Sequence, residues 1–151
     1  MASQTLKPGL SSLYDEDFAA WAFETARLIR ERRFEEIDAE NLAEEVEDMG
    51  KSQRSQLENR LAVLISHLLK WKFQVGKRSR SWQSTIVTQR IKLRRLLKQS
   101  PSLRPRLSDT IREIYDDAVR VASVETGLAA GSFPSDCPFS PQQILEEDFL
   151  P

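Results

Sequence analysis

A chain of 151 residues, 40% hydrophobic and 30% charged, is long enough for one globular domain and has the composition of a soluble protein. Its single cysteine, Cys137, excludes an intramolecular disulfide and a cysteine-based zinc site, and its longest apolar run, Leu61 to Leu69 with Ser66 and His67 inside it, is far short of a membrane span. No charged segment followed by an apolar one opens the chain, so no signal peptide is expected and the cytoplasm is the expected compartment.

The formal net charge of −1 hides an uneven distribution. Between Glu58 and Asp109 there is no acidic residue, while lysines and arginines recur throughout that stretch and both flanks are acidic. This basic middle is the strongest functional signal in the chain.

Residues 1–13, rich in Ser, Pro and Gly, read as a flexible start, and 14–151 as a single all-helical domain. Ser12 or Asp15 is placed to cap a first helix, with Asp15, Glu16 and Asp17 in its first turn, where the helix dipole favours anions. Phe18, Trp21, Ala22, Thr25, Leu28 and Ile29 form its apolar face, and it is expected to end near Arg32 or Arg33. Phe34 and Ile37 then pin a short connection.

From Asp38 to Val75 one stripe runs at steps of three and four: Leu42, Val46, Met49, Gln53, Leu57, Leu61, Leu64, Leu68, Trp71 and Val75. That spacing predicts one long helix with a single face turned to a core, capped by Asp38. Gly50 costs about 1 kcal/mol relative to Ala inside a helix, but the stripe keeps phase across it, so one helix with a kink is favoured over two. After the loop 76–80, Ser81 is placed to cap a helix that carries Trp82, Ile86, Leu93, Leu96 and Leu97 inward, with Arg90, Lys92, Arg94, Arg95 and Lys98 flanking. Ser100-Pro101 stops it. A further helix begins between Ser102 and Pro105, carries Leu103, Leu107, Ile111, Ile114, Ala118, Val121 and Ala122, and ends at Gly127 or Gly131. In the tail, Ser140-Pro141-Gln142-Gln143 is a compact helix start, and Ile144, Leu145, Phe149 and Leu150 are too apolar to stay undocked. The architecture expected is all-α: a bundle of about four main helices around one long central helix, with a short docked C-terminal helix.

Five groups of residues in this order are familiar together. They are Tyr14-x-x-Asp17-Phe18-x-x-Trp21, Asn41-Leu42-x-Glu44-Glu45-Val46-Glu47-x-Met49-Gly50, His67-Leu68-Leu69-Lys70-Trp71, Arg78-Ser79-x-Ser81-Trp82, and the tail Phe133-Pro134-x-x-Cys137-Pro138 with Ile144-Leu145 and Asp148-Phe149-Leu150-Pro151. From Leu13 onward the chain resembles domain-of-unknown-function family 29, a bacterial and largely cyanobacterial group; Ala19 and Ala20 are smaller than that pattern suggests. The resemblance implies a stand-alone, all-helical cytosolic domain. It brings no activity, cofactor or catalytic residue.

Three sets of residues are candidates for chemistry or binding. Glu44, Glu47 and Asp48 lie one helical turn apart and are the candidate metal ligands of a metal-dependent hydrolase, with Glu113 and Asp116 as the nearest second acidic pair. The plainer reading is that they complement the helix dipole. His67 joins them only if Gly50 folds the helix back or two chains pair antiparallel, because a straight helix from Glu45 to His67 is roughly 33 Å long. It reads instead as a half-buried histidine bonded to a neighbouring helix. Lys77, Arg78, Arg80 and Ser81 precede free helix N–H groups and suit a phosphate, and Arg90, Lys92, Arg94, Arg95 and Lys98 extend a track along a nucleic-acid backbone. Trp71, Phe73 and Trp82 supply either stacking surface or core, and the acidic flanks offer an internal or intersubunit use for the same charges. No nucleophile has a histidine–carboxylate partner, so the sequence points to binding rather than catalysis, without a cofactor. A protein partner or homo-oligomer is expected, with nucleic acid as the alternative and no membrane.

Overall fold

The computed structural model describes residues 9–151. Most of the flexible start expected over 1–13 therefore lies outside the described residues. The described chain is all helical, with α1 (Leu10–Glu16), α2 (Phe18–Arg30), α3 (Ala39–Phe73), α4 (Arg80–Gln99), α5 (Leu107–Thr126) and α6 (Pro141–Leu145) joined by short 3-10 turns. It divides into two compact units, Met1–Lys51 and Ser52–Pro151, with the division inside α3. Gly50 does not interrupt that helix.

In the first unit the predicted first helix is two. Asp17 breaks it, and its Oδ1 accepts from the backbone N–H of Ala20 at 3.0 Å, so Asp17 caps α2 where Ser12 or Asp15 was expected to cap. Asp15 and Glu16 consequently close α1 rather than open α2. α2 ends at Arg30, two or three residues before the predicted end. The N–H of Arg33 reaches the carbonyl of Leu28 and the N–H of Arg32 that of Ile29, at 2.9 and 3.0 Å, a Schellman closure with Arg32 in the left-handed region at φ 62°. Trp21, Thr25 and Leu28 are buried, but Phe18 and Ile29, placed on the same predicted face, are exposed. Asp38 caps α3 as expected, accepting from the N–H and side-chain amide of Asn41. Tyr14 donates to Glu45 Oε1 at 2.5 Å; this bond, with burial and the surrounding carboxylates, pushes the phenol up to about 12.

The second unit holds the core. Leu57, Leu61, Leu64, Ile65, Leu68 and Leu69 of α3 meet Ile86, Leu93, Leu96 and Leu97 of α4, Leu107, Ile111, Ile114, Tyr115, Ala118 and Ala122 of α5, and Phe133, Phe139 and Ile144 of the tail. Fully burying a Leu, Ile or Phe contributes about 1.5–3 kcal/mol, so this layer holds the unit together. α3 ends at Phe73, and Val75, predicted on its stripe, is exposed in a 3-10 turn. Ser79, not Ser81, caps α4, accepting from the N–H of Trp82 at 3.2 Å. Ser100 closes α4 as expected. Residues 101–106 form a 3-10 segment, which delays α5 to Leu107, beyond its predicted start; Val121 is exposed and Tyr115 takes the inward position instead. Gly127, at φ 74°, is the left-handed residue that ends α5. In the tail, the Ser140 hydroxyl accepts from the Gln143 N–H and the Gln143 side chain accepts from the Ser140 N–H, the predicted reciprocal cap. Ile144 is buried, whereas Leu150 is 39% exposed.

Candidate functional site

The predicted anion and nucleic-acid residues separate into three groups. Lys92, Arg95 and Lys98 are exposed on the outer side of α4, and none has an ion-pair partner among the described residues. Arg104 and Arg106 of the following turn are also exposed, but Arg106 lines a cleft with Glu58, Asp109 and Glu113. Arg94 is exposed and reaches Glu147 Oε2 at 3.1 Å. These form the open basic face.

Arg90 does not belong to it. It is 2% exposed, and its Nε, Nη1 and Nη2 donate to the carbonyls of Ile144, Glu147 and Gln143 at 2.9, 3.2 and 3.3 Å. Burial pulls its guanidinium below the ordinary arginine range. A planar fork of donors suits three convergent carbonyls, so Arg90 holds the C-terminal segment on α4. The signal was present in the sequence, since Ile86, Arg90, Leu93 and Leu97 share the inward stripe.

At the start of α4, Ser81 is exposed and makes no cap, Lys77 and Arg80 are exposed, and Arg78 is engaged. The Arg78 guanidinium lies 4.9 Å from the Trp71 ring centre and donates to the carbonyls of Trp71 and Pro151 at 2.8 and 3.2 Å. Trp71, Phe73 and Trp82 are half-buried. Lys70 lies over Trp82 and Lys72 over Phe73, while Phe73 packs edge-on against Phe133, so these rings are not free stacking platforms.

Lys70, which the sequence offers only as a member of the His67–Trp71 group, is an enclosed cation. Its side chain is 5% exposed, and Nζ donates to Glu125 Oε2 at 2.5 Å and sits 3.4 Å from His67 Nε2. His67 Nδ1 faces the Val63 carbonyl at 2.8 Å, which fixes the proton on Nδ1 and leaves Nε2 to accept from Lys70. Burial, opposed by the Val63 bond, lowers the His67 pKa below its ordinary value, so the ring is neutral at pH 7. Its partners lie on its own helix, not on a neighbouring one as expected.

The acidic candidates do not converge. Glu44, Glu47 and Asp48 are exposed; Lys51 Nζ lies 3.9 Å from Glu47 and 3.8 Å from Asp48. Among the described residues, no three His, Cys, Asp or Glu side chains are gathered closely enough to hold a metal ion. Glu113 and Asp116 line different clefts. The larger, about 580 Å³ between α5 and the tail, has Ile111, Tyr115, Cys137 and Phe139 along its walls and Asp116 and Asp136 among its lining. Burial pushes the Tyr115 phenol up to about 12 and the Cys137 thiol above its ordinary value. Both are protonated at neutral pH, which leaves the cleft without an activated nucleophile.

A family model described as a domain of unknown function, DUF29, matches residues 13–150. The chain belongs to the DUF29 family. No curated protein and no solved structure matches it. In this DUF29 chain the residues that carry the sequence resemblance hold the fold. Tyr14 bonds Glu45, Asp17 and Ser79 cap helices, His67 and Lys70 bond each other, Arg78 covers Trp71, and Phe133 and Ile144 fill the core. No helix among the described residues is long and apolar enough to cross a membrane.

Proposed function

We propose that this DUF29 chain acts by docking another protein chain, through the apolar face of the N-terminal part of α3. The observation that carries the proposal is a contrast along one helix. The stripe that is buried at Leu57, Leu61, Leu64 and Leu68 continues in phase to Met49 and Val46, which are 67% and 56% exposed. Phe18, Phe23 and Phe34 are also more than half exposed in this unit. Large apolar side chains concentrated in so short a segment are the mark of an interaction surface, and burying each on docking contributes about 1.5–3 kcal/mol. A photo-crosslinking residue placed at Met49, in the full chain expressed in its native cells, tests the proposal. A discrete adduct that Val46→Glu removes is the expected result. No adduct, or one indifferent to Val46→Glu, refutes it.

The open basic face supports a second reading, polyanion binding, because Lys92, Arg95 and Lys98 have no ion-pair partner among the described residues. Anisotropy with short mixed DNA and RNA at rising salt tests it. Arg95→Glu with Lys98→Glu is the informative variant, since Arg78 is committed to Trp71 and Pro151. Binding insensitive to salt and to that variant ends this reading.

A further inference from the structure

Two exposed faces of the chain complement each other. On α3, Ala39, Ala43, Val46 and Gly50 recur at steps of three and four and share one helical face, with Met49 beside them. The small residues make this face smooth enough for close approach of a second helix. Its surroundings are acidic: Glu40, Glu44, Glu47 and Asp48 are exposed, and no base lies between Ala39 and Met49. On the outer side of α4, Ser84, Val87, Ile91, Arg95 and Lys98 recur with the same period. Val87 is 46% exposed, and no acid lies between Arg80 and Gln99. Ala39 to Gly50 rises about 17 Å and Ser84 to Lys98 about 21 Å, so the two faces also match in length.

We infer that the partner docked on the α3 face is a second copy of this chain, which lays the outer face of its α4 there. This rests on the docking reading above and names its partner. Pairing the α3 face with the same face of another copy would set carboxylates against carboxylates, and α4 against α4 would set cations against cations. Only the mixed pairing brings apolar centres together inside opposite charge. Each copy carries both faces, and the inferred dimer is the reciprocal one, in which each copy's α3 face takes the other copy's α4 face. Two contacts are also what area demands, because stable interfaces bury about 1,200–2,000 Å², more than one pair of short helical faces supplies. The acidic flank and basic middle of the sequence thereby acquire a single use.

Sedimentation equilibrium of the full chain tests the inference with two variants, Glu47→Lys with Asp48→Lys and Arg95→Glu with Lys98→Glu. The native chain is expected to dimerise, with a dissociation constant that rises with salt. Each variant alone sets like charges at both contacts, and its dissociation constant should rise at least about tenfold. Mixed in equal amounts, the two variants oppose charge at both contacts, and the dimer should return as a heterodimer. A polyanion-binding face predicts no such rescue, and α3 pairing with α3 predicts that the α4 variant still dimerises alone. A native chain monomeric at every concentration, a lone variant that dimerises normally, or a mixture that stays monomeric overturns the inference. Dimerisation and the Met49 adduct separate the two claims: a monomeric chain that still gives the Val46-dependent adduct docks a different protein, and loss of both ends both.

Discussion

Replacing Arg90 by Met keeps the length of the aliphatic stem and removes every donor of the guanidinium. Three carbonyls, those of Gln143, Ile144 and Glu147, then lose their partner beneath a side chain that is 2% exposed. A hydrogen bond from a charged group contributes a net of about 1.5–3 kcal/mol. The bonds to Gln143 and Glu147 are only part-buried, so water replaces part of the loss, and the substitution also relieves the burial of a charge. A net loss of about 2–4 kcal/mol is expected, localised to the docking of the tail. Hydrogen exchange reads it directly. The amides of Ile144 and Glu146, bonded to Ser140 and Gln142, should exchange roughly 30- to 1,000-fold faster, at about 1.4 kcal/mol per tenfold. Arg90→Lys, which lacks the planar fork, should recover little of this. Exchange in Arg90→Met within about twofold of the native chain would refute the assignment of Arg90 as the tail's anchor.

Three further outcomes follow from local geometry. Gly50→Ala should raise stability by about 0.5–1 kcal/mol in urea unfolding, because the helix runs through Gly50 and a Cβ there meets nothing within 4 Å; a loss would mean the helix is not continuous there. Arg32→Gly should also stabilise, by about 0.5–1 kcal/mol, since it relieves a left-handed backbone at φ 62°; an unchanged urea midpoint would contradict the Schellman closure. Folded His67 binds its proton less readily than unfolded His67, chiefly because burial disfavours the charged ring, with Lys70 adding to this and the Val63 bond and Glu125 opposing it. Stability should therefore fall as pH drops below the unfolded value near 6.5, because the unfolded chain takes up the proton first. Urea midpoints from pH 7.5 to 5 should fall more steeply in the native chain than in His67→Gln, and equal slopes would remove His67 from the argument.

Local chemistry was legible in the sequence. Asp38 and the Ser140–Gln143 box act within four residues, Ser100-Pro101 breaks a helix by steric clash with its own backbone, and the stripe from Leu57 to Leu68 is a periodicity of the chain itself. Near misses were equally local. Asp17 outcompeted Ser12 and Asp15 as a cap, and Ser79 outcompeted Ser81, because several capping residues lay within a few positions and a sequence does not rank them.

The sequence by itself therefore determined that the chain is helical, where α3 to α6 lie to within about a turn, and which residues recur on one helical face, but not that Asp17 splits the first helix in two. Periodicity does not say what lies opposite a face. Only the tertiary structure decided that the α3 stripe is covered at Leu57 and bare at Met49, and that Arg90 points into the tail while Arg95 points outward. It also decided that Lys70 is enclosed by Glu125, His67 and Trp82. Each of these depends on partners tens of residues away, and a charge or an apolar side chain takes its role from what it meets there.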